Sequence, residues 1–348
     1  MQGPRLSAAS GLAALFLLCS APCLAQTEAG GQVRLQWTGQ QANALPNGLV
    51  ALPASSATLE TELRATGHGL SGIVTLQQQR LESGASDSRA WVNELYASHD
   101  GGAWQFSAGK KIVAWDVGYG YRPNDMVQQE ERRALVSSTL DGRPLLMAEH
   151  FSADTAWSWV WVNPTQSVQA LGAQEPALAA RVYRRDGAVD WHGFARVGTH
   201  TGASVGAAVA WVASEALELH SSLRFSERVD GMAIALTART EHDVKQLLLG
   251  GTWTDTNQLS LLAEAWSDAQ ALRNVYLRLS WQHDAWQPAL DVLYMPADQG
   301  RVVTASLIWQ GDRVQLQGGL RVYGGPANAV MMLQPVRSLA YAATTWMF

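Results

Sequence analysis

The chain has almost no cysteine. Of 348 residues only Cys19 and Cys23 carry a thiol, and both fall in an N-terminal stretch that reads as a leader. A mature chain without them has no disulfide, no thiol chemistry and no Cys-ligated metal site. Long apolar runs are missing too. After Leu12 to Leu18 (LAALFLL) nothing approaches the roughly 18 apolar residues of a membrane-spanning helix. There is no basic tract: 25 Lys and Arg stand against 30 Asp and Glu, a net charge of −5, which gives nucleic-acid binding no support. Phenylalanine is scarce, 6 residues against 15 Trp. That skew suits aromatic belts at a membrane interface better than a packed core.

What is present begins with that leader. Arg5 gives a short positive region, LAALFLL an apolar stretch too short for a permanent span, and Cys-Leu-Ala a cleavage site after Ala25, so residues 1–25 read as a secretory signal. Leu18 and Pro22 precede the two cysteines, where lipid attachment needs a small residue. The expected mature chain is one domain over 26–348, with no linker or composition shift.

From Gln32 onward the chain divides into segments of about ten residues with period two. In one, Val275, Leu277, Leu279 and Trp281 alternate with Asn274, Tyr276, Arg278 and Ser280; in another, Val314, Leu316, Leu320 and Val322 alternate with Gln315, Gln317 and Arg321. A helix would need apolar residues three and four apart. The segmentation gives about eighteen strands: 32–38, 57–67, 70–80, 89–99, 102–112, 143–151, 155–163, 176–185, 188–197, 204–213, 217–226, 244–254, 258–266, 274–283, 286–295, 302–310, 313–323 and 338–348. Short turns such as Asp186-Gly187 and Gly311-Asp312 alternate with mostly longer connections, the longest from Val113 to Gly142. Strands of this length span a bilayer when tilted, and the alternation predicts an all-β, antiparallel, up-and-down transmembrane barrel of 16–18 strands with both termini at the short-turn end. A soluble sandwich would put the same apolar faces into a shared core.

The tail, Ser338 to Phe348 (SLAYAATTWMF), places Phe348, Trp346, Thr344, Ala342 and Ala340 on one strand face. It resembles the terminal strand of bacterial outer-membrane barrels. That resemblance implies an outer-membrane location, lipid as surroundings, and recognition of Trp346 and Phe348 by the barrel assembly machinery.

Alternation points Arg34, Glu60, Glu62, Arg64, Glu94, Tyr96, Lys111, Arg181, His192, Arg196, His220, Arg224, Glu264, Arg278, Asp291 and Arg321 inward. Charge at membrane depth is costly unless it faces water or a partner, and a lumen of about eighteen strands is too wide for side chains to fill. The bias toward Arg and Lys in this set tilts the reading toward anionic or sugar-like solutes. The connection after the fifth segment holds Trp115, Asp116, Tyr119, Tyr121, Arg122, Asn124, Asp125, Gln128, Gln129, Glu130, Glu131, Arg132 and Arg133. Opposed carboxylates and guanidinium groups of this kind make a transverse field across a narrow passage. Resemblance to porins implies that this third external loop folds inward, and allows for a homo-oligomer. The run Gly109-Lys110-Lys111 through Trp115-Asp116 to Pro123-Asn124-Asp125, with Glu94-Leu95-Tyr96 upstream, also resembles alginate-export-like outer-membrane barrels over about thirty residues. Asp116 stands where that family commonly has Gly after the Trp.

Catalysis has little to rest on. His99, His150, His200 and His283, with Ser98 or Asp284 beside two of them, form no recognisable constellation, and His192 and His220 lack metal-ligand spacing. No cofactor is expected. The sequence reads as a passive channel for small polar or anionic solutes; the alternative is a polysaccharide export or surface-assembly barrel working with periplasmic partners.

Overall fold

The computed structural model describes residues 27–43, 54–128, 132–136, 140–162, 175–230, 240–268 and 272–348. Residues 1–26, which include the expected leader, most of the first loop, and Gln129, Glu130 and Glu131 lie outside these. Eighteen strands follow in order: β1 (Glu28–Ala42), β2 (Ser55–Gly67), β3 (Leu70–Leu81), β4 (Ser86–Gly101), β5 (Trp104–Lys111), β6 (Arg143–Phe151), β7 (Thr155–Val162), β8 (Ala177–Asp186), β9 (Val189–Gly198), β10 (Gly202–Ser214), β11 (Leu217–Asp230), β12 (Thr240–Thr254), β13 (Leu259–Ser267), β14 (Arg273–Trp281), β15 (Trp286–Met295), β16 (Gly300–Gln310), β17 (Val314–Gly324) and β18 (Val336–Met347). A 3-10 turn, Val330–Leu333, lies between the last two.

Each strand pairs antiparallel with its neighbours, and β1 pairs with β18 from Gln32–Met347 to Gln41–Ser338, so the sheet is a closed barrel. The seam is tight. Gly31 and Phe348 exchange both backbone hydrogen bonds, at 2.9 and 3.0 Å, and a Cβ on Gly31 would meet the carbonyl of Glu62 and the Phe348 ring.

Two expectations need adjusting. The turn expected at His99-Asp100-Gly101 is strand: β4 runs to Gly101, and Gly102-Ala103 turns the chain. Three connections at the end away from the termini are also tight, at 82–85, 199–201 and 296–299, so turn and loop ends differ less sharply than the segmentation suggested. β1, β11 and β12 are longer than their apolar pattern, because their polar loop-end residues continue the hydrogen-bonded ladder.

The outward face is apolar. Leu35, Leu59, Leu95, Leu178, Val205, Leu249, Leu277 and Leu320 are all at least 43% exposed, which only hydrocarbon makes tolerable. Trp104, Trp157, Trp191, Trp211, Trp253, Trp281, Trp286, Trp309 and Trp346 all lie toward the turn end of their strands. They form a belt there, as amphipathic rings do at a membrane boundary.

Candidate functional site

The apolar clusters of the protein lie inside the ring. From Ile112 the connection between β5 and β6 enters the lumen and packs Val113, Trp115, Met126 and Val127 against Leu145 and Met147 of β6, Val160 and Val162 of β7, Ala179 of β8, Phe194 of β9 and Ala208 of β10. Farther along, Tyr119 and Tyr121 meet Leu248, Leu262, Trp266, Tyr276 and Leu293 on β12 to β15. Tyr121 stacks on Trp266 at 5.6 Å and Tyr119 on Tyr276 at 6.0 Å. The later part reaches the other side, where Arg321 donates to the Arg133 carbonyl at 2.8 Å and Gln317 to that of Leu135 at 2.6 Å. Asn93 of β4 donates to Leu140 at 3.2 Å.

Two carboxylates shape this excursion. Asp125 accepts from the amides of Trp115 and Asp116 at 2.8 and 2.9 Å and pairs with Arg122 at 2.9 Å. Asp116 accepts from the Asn124 amide at 2.6 Å, the Val117 amide at 2.9 Å and the Ser222 hydroxyl of β11 at 2.7 Å. Burial pushes both carboxyls up, and the Arg122 guanidinium pulls Asp125 part of the way back. Asn124 ties the turn to β11 through Ser222 at 2.8 Å and the Leu223 carbonyl at 3.1 Å, and Arg224 donates to the Pro123 carbonyl at 2.9 Å. The stretch from Trp115-Asp116 to Pro123-Asn124-Asp125, which carried the resemblance to export barrels, is thus a clasp. With Asp in place of Gly, the carboxylate of Asp116 supplies the bonds that close it.

A third carboxylate fastens the far side. Glu264 of β13, fully buried, accepts from the amides of Tyr119 and Gly120 at 2.7 and 2.6 Å and contacts His220 Nε2 at 2.9 Å. Gln246 donates to the Tyr121 hydroxyl.

Most other inward charges are paired along the wall. Arg34 meets Glu60, Arg64 meets Glu62 at 2.6 Å, Arg278 meets Asp291 at 2.8 Å, and Arg181 contacts His192 at 3.1 Å. Glu94 accepts the Ile112 amide at 2.7 Å, and Lys111 lies over the Tyr96 ring at 5.0 Å and near Ser107 at 3.2 Å. Arg196 binds Glu175 at 2.8 Å. Burial pushes the Glu175 carboxyl up, but the Thr201 hydroxyl, the His200 and Thr201 amides and Arg196 outweigh it and hold the group at about 2. Arg34, Glu60, Glu62, Arg196, His220 and Glu264 are buried. Arg132 is exposed and Arg133 half-buried, its guanidinium 5.7 Å from the Trp266 ring. Glu130 and Glu131 lie outside the described residues.

The histidines are not gathered. His150 packs on Trp104 at 4.8 Å and His283 on Trp281 at 4.6 Å, and Ser98 donates to the Gly69 carbonyl at 3.3 Å. Among the described residues no three His, Cys, Asp or Glu are grouped to hold a metal.

Sequence reasoning missed the apolar inner wall. Its signal was a local failure of alternation: Leu145-Leu146-Met147, Val160-Trp161-Val162 and Leu247-Leu248-Leu249 are apolar on both faces. A strand wet on one side alternates, and one dry on both sides does not.

No family model and no curated protein matches the chain. Its fold is found among solved structures. Pseudomonas aeruginosa OccK5 (OpdH) is similar at a TM-score of 0.64 and 10% identity, covering 94% of this chain and 99% of that one. Escherichia coli Wzi, described as an outer-membrane protein involved in group 1 capsule assembly and a carbohydrate-binding β-barrel, is similar at 0.57 and 9% identity, covering 91% and 84%. At these identities the likeness is one of fold: the chain is a closed antiparallel β-barrel of the kind these two proteins have.

Proposed function

We propose that the protein is a passive channel of the outer membrane for small polar or anionic solutes, with its lumen narrowed by the β5–β6 connection. The observation that carries this is the disposition of charge on that connection. Asp116 and Asp125 are locked into the clasp and Asp141 pairs with Lys110, whereas Arg132 stays exposed and Arg133 is only partly buried, as is Arg321 on the facing wall. A passage bordered by these groups presents guanidinium to a solute, which favours anions and hydrogen-bond acceptors. On this reading the turn end faces the periplasm, residues 1–25 direct export, and Trp346 and Phe348 carry the assembly signal.

Planar-bilayer recording of R132E/R133E tests it. Ion selectivity should move toward cations, and an unchanged reversal potential would refute the placement of these arginines beside the pore.

The apolar docking of the connection favours a second reading, a closed barrel that handles a surface polysaccharide with periplasmic partners. A channel conducts steadily after reconstitution, whereas a closed barrel is silent.

A further inference from the structure

Three outward files repeat one pattern. On β12 it is Lys245, Leu247, Leu249, Gly251, Trp253; on β14, Arg273, Val275, Leu277, Leu279, Trp281; on β16, Arg301, Val303, Ala305, Leu307, Trp309. Each begins with a cation at the loop end and reaches its Trp eight residues later. Eight residues run ~26 Å along a strand, or ~21 Å vertically at a tilt of ~36°. The long stems carry the charged heads farther out, so cation and Trp bracket an apolar band of ~25 Å. On the neighbouring even strands the same place is neutral: Ala203 stands eight residues before Trp211 on β10, and Ser338 before Trp346 on β18.

The register makes the three cations level. Leu247 pairs with Ser267 and Ser267 with Arg273, so Arg273 sits two residues below Lys245. Val275 pairs with Tyr294 and Tyr294 with Arg301, so Arg301 sits two below Arg273. A fall of one residue per strand, ~3.3 Å in ~4.8 Å, is the slope at which strands tilted ~35° keep a horizontal line. The Trp belt falls at the same rate: Trp253 shares a row with Leu261 and Leu279, two residues before Trp281. The cations therefore form a row parallel to that belt, ~12 Å apart, with Tyr294 between two of them.

All three are exposed, and none has an ion pair or hydrogen bond among the described residues. The nearby acids are engaged elsewhere or lie farther out. Glu227 accepts the Ala203 amide at 3.1 Å and pairs with Arg228 at 3.5 Å; Asp268 accepts from Leu272 at 3.0 Å; Asp298 accepts from Gly300 and Val330 at 2.8 and 2.7 Å. Asp243 stands two residues beyond Lys245, outside the band.

We infer that Lys245, Arg273 and Arg301 form a docking rail for the phosphate groups of lipids in the external leaflet. Unpaired cations at the hydrocarbon boundary meet headgroup oxygens at the height where the acyl chains reach the apolar files beneath, and each contributes a factor of about five to affinity for an anionic surface. The rail is outside the pore, so it stands or falls independently of conduction.

The test is thermal unfolding of the detergent-solubilised barrel, read as loss of heat-modifiable mobility, during titration with a bis-phosphorylated glucosamine lipid or its dephosphorylated counterpart. The phosphorylated lipid should raise the midpoint of the wild type. In K245Q/R273Q/R301Q the concentration needed should rise about a hundredfold, while K245R/R273K/R301K keeps the response and shows that the positions tolerate change. The dephosphorylated lipid should act weakly and equally on all three proteins. An equal response of the Gln variant to the phosphorylated lipid would overturn the rail. So would protection by inorganic phosphate alone, which would make the site one for a soluble anion.

Discussion

At the scale of single residues, three buried carboxylates decide where the connection lies. Asp116, Asp125 and Glu264 each accept at least two backbone amides from it. Removing an acceptor leaves buried donors unsatisfied, at ~1–3 kcal/mol each. E264A should therefore lower the unfolding free energy by about 3 kcal/mol and speed amide exchange at Tyr119 and Gly120; unchanged exchange would show that another group holds them. The sequence displayed these acids without their roles. Glu264 was legible as inward from alternation alone, but its partners are 144 and 145 positions away, beyond any local pattern. Asp116 and Asp125 suggested a field across a passage, whereas burial and amide donors turn both into fasteners.

At the scale of elements, the strands were almost wholly legible and the loop was not. Period two follows from two solvents meeting one sheet, so it marks every strand even where no residue is distinctive. A loop has no period, and the course of Val113 to Gly142 depends on what the inner wall offers. Its apolar grip is open to test. W115A should cost about 3–5 kcal/mol and raise single-channel conductance or its noise; wild-type values for both would mean that the clasp alone holds the connection. A second fastening joins the stretch before β8 to the turn between β9 and β10 through Glu175. A carboxyl held below its unfolded value contributes stability above pH 4.5 that is lost as pH falls toward about 2. Wild type and E175Q should therefore differ in unfolding midpoint at pH 7 and converge near pH 2, and a constant difference would sink the assignment.

At the scale of the whole molecule, the barrel depends on one join. Every other strand pair links neighbours in the chain, but β1 and β18 meet across the full sequence, at a place where Gly31 leaves room for Phe348. G31L should collide there with the Glu62 carbonyl and the Phe348 ring, and the yield of heat-modifiable barrel should fall several-fold; normal yield would mean the join tolerates bulk. The tail alone pointed to this end of the chain, since its aromatics needed somewhere to go, although the glycine facing them carried no signal. The join also bears on how the molecule comes into being. Until it is made, two raw margins of peptide groups confront acyl chains that can bond neither, so a half-zipped cylinder has no restful form in lipid. Construction should then run to completion or be abandoned, with nothing in between worth storing.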